Sequence, residues 1–500
     1  MFVRKKKNKS GSVSVQVIDK SSGKYKVIKT IGSSSNETEI TDLYLKGKQW
    51  IIQYDGQQKL DFNKPTEDEI FNSIKEIQVV GLKLIIGKIY NDVGFNKIDS
   101  FLLQYLTIAR ISNPASKLKT TEYLKRYCNI DINEDKIYRY LDKLYKEQKE
   151  QIQQISYKHT LTVLKGGISV VFYDVTTLYF QIDDEDDLRK RGFSKEGKHQ
   201  NPQILLGLLV SVDGYPLAYE IFEGNKFEGH TMLPVIDRFK DKYNIDKLII
   251  IADSGLLSSQ NIIELQEKGY EFILGARIKN EKQDIKDKIL SLNLKNGESQ
   301  IISKENGLKI IISYSEKRAR KDKNNRERGL KRLQKQLKSG KLTKSHINNR
   351  GYNKYLKMEG DIDIKVDMEK FNQDAAWDGL KGYITNTDLT KDQIIENYGH
   401  LWKIEKAFRI SKHDLKIRPI YHQLQRRIEA HITINFVAYK IYKELERLLK
   451  EKKADISPEK AIDIAKTIYQ ITATDKGITI KYNLILTDEQ RYLAQLFQFG

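Results

Sequence analysis

The chain has 500 residues, 39% of them hydrophobic and 31% charged. That apolar share supports a real core and excludes wholesale disorder, and the length suggests about three domains at roughly 150 residues each. Lys and Arg total 87 against 67 Asp and Glu, a net charge of +20, which points to a polyanionic partner, nucleic acid or an anionic membrane surface. Lys, Ile, Asn and Tyr are plentiful while Pro and Trp are scarce; an A+T-rich coding sequence raises Lys everywhere, so where the charge clusters matters more than its total. The single cysteine, Cys128, allows no disulfide framework and no thiolate zinc site within one chain. No apolar run reaches the ~18 residues of a membrane span, and the basic start lacks the apolar stretch of a signal peptide. A cytosolic or DNA-associated protein with no membrane partner is expected.

The elements follow in chain order. Residues 1–60 alternate polar and apolar, with a hairpin at SVSVQVIDK and KYKVIKTIG around a Ser22-Gly23 turn and a third strand at KQWIIQY. Residues 61–165 read as helices, and NPASKLKTTEYLKRYCNIDINEDKIYRYLDKLY has the cadence of helix, turn, helix. This stretch reads either as a domain binding DNA ends or as a solvated helical bundle. From 166 to 277 the texture changes. ISVVFYDV is a β-branched strand; QILLGLLVSV and YPLAYEIFEG flank an Asp213-Gly214 turn; a helix, the strand KLIIIAD, another helix and the strand YEFILGAR follow. The expected fold is α/β, a mixed sheet flanked by helices. Residues 278–385 read as a basic, β-rich insertion, with strands at QIISKENGLKIIISYS, IDIKVDM and LKGYITN. Residues 386–450 hold a long helix through TKDQIIENYGHLWKIEKAFRISKHDLK and a second after Pro419, and 451–500 a small helix-strand-helix appendage.

The charge does cluster. Residues 317–357 hold sixteen Lys and Arg against Asp322 and Glu327, a net of +14. Such a run reads as a solvated helix or linker or, lying between strands of one domain, as a DNA-facing insertion in which Arg318, Arg320 and Lys321 neutralise phosphates.

Three carboxylates stand out. Asp174 ends the first core strand, Asp253 ends KLIIIAD, and Glu405 lies on the long helix. Clustered carboxylates repel unless a cation sits among them, and hard oxygen ligands suit Mg²⁺. Two such ions can activate a water or a 3′-hydroxyl and stabilise the leaving oxygen of a phosphodiester. Each acid also has a plain reading. Asp253 can cap the next helix, Asp174 can form a turn, and Glu405 can pair with Arg409. Tyr398, Glu405, Arg409 and Lys412, spaced 7, 4 and 3, would share one face of a continuous helix.

FYDVTTLYF, QILLGLLVSVDGYPLAYEIFEGN, HTMLPVI, IIADSGLLSSQNI and YGHLWKIEKAFRISKHDLKIRP, in that order, resemble insertion-sequence transposases of the DDE class. The likeness is to the branch with a β-rich insertion and a Tyr-x2-Arg-x3-Glu-x6-Lys signature. Tyr398, Glu405 and Lys412 match that signature, whereas Leu401 stands where Arg is expected. The resemblance implies an RNase H-like core in which Asp174, Asp253 and Glu405 bind two Mg²⁺ ions, with Mn²⁺ substituting. Tyr398, Arg409, Lys412 and Arg418 would contact DNA, and Trp377 would either stack on a flipped base or belong to the core. The implied partners are double-stranded DNA, as terminal inverted repeats and target, and a second copy in a synaptic homodimer. The implied location is cytoplasmic and nucleoid-associated. In members with this signature the freed 3′-hydroxyl commonly forms a hairpin on the element end. The alternatives are a DNA-binding relic without catalysis, which the Leu401 departure favours, and another RNase H-like nuclease.

Overall fold

The computed structural model describes residues 1–21, 23–54, 72–194, 197–340, 342–348, 351–359, 363–475 and 478–499. Ser22 of the expected first turn, the 60/61 boundary and the start of the expected helical stretch up to residue 71 lie outside them. The chain divides into two compact units, residues 1–77 with 471–482, and residues 78–470 with 483–500.

In the first unit Phe2–Lys7, Val13–Asp19 and Lys26–Ser34 form an antiparallel sheet with Val13–Asp19 at its centre. The expected hairpin is its second and third strands. The basic start, MFVRKKK, is a strand that the charge run conceals. The expected strand KQWIIQY is instead the end of a helix, Glu37–Tyr54, packed on this sheet. Ile40, like Val15, Val17 and Ile18 of the sheet, is buried where this helix packs, so helical periodicity over 18 residues overrides a short apolar run. Ile74–Val79, expected to be helical, is a strand in a second sheet beside Tyr469–Asp475 and Ile478–Leu484. The C-terminal residues thus contain two neighbouring strands between helices Pro458–Ala465 and Asp488–Phe497, in place of a single strand.

The second unit is organised by an eight-stranded sheet. Its strands in chain order are β1 (Val170–Tyr179), β2 (Gln203–Ser211), β3 (Pro216–Glu223), β4 (Ile249–Ala252), β5 (Glu271–Ala276), β6 (Ser299–Ser303), β7 (Lys309–Tyr314) and β8 (Leu380–Thr385). Across the sheet they run β6-β7-β8-β5-β4-β1-β2-β3. The meander β1-β2-β3 is antiparallel, and β4 and β5 lie parallel to β1 and to each other. That order, β3-β2-β1-β4-β5 with helices on both faces, is the RNase H-like core. The insertion adds to it: β8 pairs antiparallel with β5, and β7 and β6 continue outward.

The insertion is less β-rich than expected. Its most basic part is the helix α3 (Glu316–Lys338), where only Gly329 and Leu333 are buried. Leu333 joins Tyr355, Leu356 and Phe371 in a small core of its own. Good helix formers dominate this run, so the charges project into solvent from an ordered rod.

Each face of the sheet carries a core. Helices α1 (Met232–Tyr243) and α2 (Ser259–Glu267) cover one. The other is covered by the helices of residues 88–163 and by α6 (Gln425–Glu451), whose middle is buried all round. The expected helix-turn-helix is present as Lys117–Cys128 and Glu134–Lys143, capped by Ser116 and Asn133.

Candidate active site

The acids are positioned by sheet periodicity. Along β1, Val171, Tyr173 and Val175 point into the α1–α2 core, while Phe172 and Leu178 point into the opposite one. A period of two puts Asp174 on the Phe172 face. Along β4, Ile250 and Ala252 take the first face and Ile251 the second, so Asp253 follows Ile251. Tyr173 lies opposite Ala252 in the parallel pair. Asp174 and Asp253 therefore succeed one another on neighbouring strands, on the same face. The helix α5 (Trp402–Arg409) packs against β1 and β2 on that face, burying Ile404, Ala407 and Phe408 in the same core as Phe172 and Ile251. Glu405 is exposed beside them.

Local contacts fix these side chains. Oδ1 of Asp174, which is half-buried, accepts from the Val175 N–H at 2.7 Å. Asp253 Oδ1 accepts from the Ser254 N–H at 2.6 Å, capping a short 3₁₀ turn, Ser254–Leu256. The capping role is thus real, but for this turn; the following α-helix is capped by Ser258. No ion pair joins Glu405 to Arg409 among the described residues.

The long helix is broken. It ends at Gly399, and α4 (Lys391–Gly399) is followed after His400 and Leu401 by α5, which passes into a π-turn at Ile410–Asp414. Glycine inside a helix costs ~1 kcal/mol, and the break falls there. Tyr398, Glu405 and Lys412 therefore do not lie along one continuous helical face. Tyr398 is buried at 5% exposure. Its ring stands edge-on to Tyr383 at 4.9 Å, and its hydroxyl lies against Asp253. Burial raises the phenol pKa, with Asp253, Tyr383 and Glu405 adding to the shift. Leu401, in the place of the expected Arg, is also buried, at 8% exposure, within the main core.

Sequence reading missed Lys381. It lies on β8, and its Nζ sits 4.4 Å from the Tyr398 ring centroid and 5.2 Å from that of Tyr383. Burial and the neighbouring Arg318 lower its pKa, while Asp253 and Glu405 pull it the other way. Lys381 thus sits within electrostatic reach of two of the three acids. The only sequence signal was a lysine inside the otherwise apolar LKGYITN.

Beside it opens a cavity of about 660 Å³, lined in part by Ser254, Lys279, Arg318, Trp377 and Lys381. Trp377 is half-buried, packing on the α1–α2 core while lining this cavity, so both of its readings have a structural basis. Arg318 is exposed on α3 and pairs with Asp322 at 3.5 Å; Arg320 pairs with Glu316 at 3.4 Å, and Lys321 is exposed. Arg409 is exposed on α5, and Lys412 is half-buried in the π-turn. Arg418 stacks its guanidinium 5.5 Å from the Tyr179 ring centroid at the end of β1.

Three carboxylates are hard oxygen donors of the kind Mg²⁺ takes, and Asp253 and Glu405 are open to solvent. Among the described residues, no three His, Cys, Asp or Glu side chains are gathered closely enough to hold a metal ion. The donor chemistry of Asp174, Asp253 and Glu405 fits a divalent ion. No helix among the described residues is long and apolar enough to cross a membrane.

The family described as "Transposase DDE domain" matches residues 165–441, more than half of the chain and a range that contains Asp174, Asp253 and Glu405. The chain belongs to that family. The matched range holds the whole β1–β5 part of the sheet, with Asp174 on β1, Asp253 at the end of β4 and Glu405 on α5. Among solved structures, it is similar to a piggyBac transposase synaptic complex with hairpin DNA, at 9% identity over 77% of this chain and 78% of that one, with a TM-score of 0.39. It is also similar to a Mos1 transposase paired-end complex with the left transposon end, at 9% identity over 46% and 66%, with a TM-score of 0.16. No curated protein matches the chain.

Proposed function

We propose that this transposase cleaves and joins DNA at the terminal inverted repeats of its own element, with Asp174, Asp253 and Glu405 as the ligands of two divalent ions. The observation that carries this reading is the succession of Asp174 and Asp253 on adjacent parallel strands, under the helix that bears Glu405. Bound Mg²⁺ or Mn²⁺ would supply a Lewis acid for the scissile phosphate and lower the pKa of an attacking water. The chain's own residues do the rest. Tyr398 fixes the Asp253 carboxylate, and Lys381 brings a positive charge to the acid cluster and to an entering phosphate. Arg318, Lys321 and Arg409 are exposed cations for neighbouring phosphates, and Trp377 offers a ring at the cavity beside Lys381. Arg320, partly neutralised by Glu316, is a weaker candidate. Lys412 in the π-turn and Arg418 beyond it are further cations for the DNA backbone. A synaptic homodimer, the region 61–165 with its helices between residues 88 and 163 as the reader of the ends, and a hairpin intermediate complete the proposal.

The test is a linear duplex carrying the element's flanking ends, incubated with the full chain and Mg²⁺, Mn²⁺ or EDTA and run on a denaturing gel. Wild type nicks at the element boundary with metal only, and Glu405→Gln binds the same DNA without cutting it. Full cleavage by Glu405→Gln would remove the assignment, and cleavage unaffected by EDTA would remove the metal ions.

A further inference from the structure

A second cavity, of about 250 Å³, lies between the helical region and the segment that follows the Glu405 helix. Arg110, Lys117, Lys416, Arg418, His422 and His431 all line it, and no Asp or Glu does. Arg110 and Lys117 are buried, at 6% and 7% exposure. Arg110 donates to the carbonyl oxygens of Leu415 and Lys416, at 3.4 and 3.2 Å, and its guanidinium lies 3.5 Å from His431 Nδ1. Among the described residues, the Lys117 ammonium has neither an ion pair nor a hydrogen bond. Lys117 is also the first residue of its 12-residue helix, whose N-cap Ser116 lines the same cavity. A helix N-terminus adds a partial positive charge of its own.

Buried cations without a counter-charge are costly, and proteins pair them or leave them for a ligand. We infer that this cavity is an anion site that takes one phosphate group, a phosphodiester of the DNA backbone, seated between Lys117, Arg110 and the start of helix Lys117–Cys128. The DNA source rests on the transposase reading; the phosphate chemistry does not. The exposed Tyr421 and the half-buried Tyr138 at the mouth give a sugar or base beside that phosphate an aromatic surface. The electrostatics of the empty pocket agree. Burial, then Arg110, drives the Lys117 pKa well below its ordinary value. Burial, then Lys117, Arg427 and Arg110, pushes His422 down to about 3. A bound phosphate offsets the repulsion between these cations. Because Arg110 also bolts the pocket to Leu415 and Lys416, the same contact ties DNA held by the helical region to the chain that leaves the Glu405 helix.

The test uses the full chain and two probes. Calorimetric titration with inorganic phosphate gives saturable one-site binding in wild type and at least ten-fold weaker binding in Lys117→Met, which keeps the apolar stem. Titration of duplex DNA over a salt series gives a log K against log salt slope shallower by about one in the variant. Phosphate binding that Lys117→Met leaves unchanged, or no binding by wild type, overturns the site. A phosphate effect with an unchanged DNA slope overturns the backbone as its source and assigns the pocket to free phosphate. Lys117→Glu guards against a folding failure of the first variant: it places a carboxylate beside Arg110, melts no lower than wild type, and loses phosphate binding. If Glu405→Gln still cuts DNA while Lys117→Met loses phosphate, the active-site assignment has failed and the pocket has not.

Discussion

Replacing Leu401 with Arg restores the residue that the family signature expects, and the structure gives it a definite cost. If position 401 were a lost DNA contact, Leu401→Arg would strengthen end binding or cleavage. Leu401 is 8% exposed and packs in the core that also holds Ile404, Phe408 and Ile428. Removing a buried Leu side chain forfeits about 1.5–3 kcal/mol. The guanidinium cannot stay among those side chains without a partner, so it must reach solvent and drag its stem with it. The expected loss is about 2–4 kcal/mol. Each kcal/mol moves a domain of 150–250 residues by about 2–4 °C and a larger unit by less, so the melting temperature falls by a few degrees. Leu401→Met, which conserves volume, costs less than about 1.5 kcal/mol and controls for disturbance of the helix break. The assay pairs thermal denaturation followed by circular dichroism with the cleavage gel. An unchanged melting curve together with faster cleavage in Leu401→Arg would refute this reasoning. Position 401 would then be a DNA contact, and the chain a weakened copy of its family.

Further outcomes follow from the same geometry. Tyr398→Phe keeps the buried ring and removes the hydroxyl at Asp253; a hydrogen bond to a charged group is worth about 1.5–3 kcal/mol, so cleavage falls about ten-fold or more with DNA affinity intact. Cleavage at the wild-type rate would mean that the hydroxyl only fills space. Lys321→Gln, Lys323→Gln and Arg328→Gln, all at exposed positions of α3, preserve the helix and lower the slope of log K against log salt by up to ~2.7 if each meets a phosphate. An unaltered slope makes α3 a solvated rod with no part in binding. Burial, then Lys440, pushes His159 down to about 4, outweighing Glu444 at 3.8 Å. Between the unfolded value near 6.5 and that folded value, the unfolded chain binds more protons, so stability falls as pH drops through this window. His159→Gln makes that fall shallower, measured by denaturant titration from pH 7 to 5; an identical pH profile would show that His159 does not titrate on unfolding.

Much of the core was legible because its signals are local. Alternation in FYDVTTLYF and the Asp-Gly turn identify strands by a period of two, and the order of strands and helices points to a mixed sheet with both faces covered. The three acids could be named because they follow the order of strands and helix, although β1 does not end at Asp174 as the sequence suggests but runs on to Tyr179, where its pairing with β2 continues. The insertion was harder. Its strands were readable singly, but their attachment to β5 depends on pairing between residues about 110 positions apart, such as Gly382 with Ala276. The helix at 37–54 was hidden by KQWIIQY, which is apolar enough to pass for a strand until its other face meets a sheet.

The sequence by itself determined the charge, the basic run at 317–357, the main strands and the candidate acids, all of which depend on residue type and short-range period. Tertiary structure alone decided which residues surround those acids. The break at Gly399 buries Tyr398 and Leu401 and separates them from the Glu405 face. Strand β8 delivers Lys381 from a distant insertion to the Tyr398 ring. The helix at Lys117 meets the segment at Lys416 across roughly 300 residues to enclose a cavity lined by cations and by no Asp or Glu. Burial and electrostatic reach are properties of distance in space, and distance along the chain does not encode them.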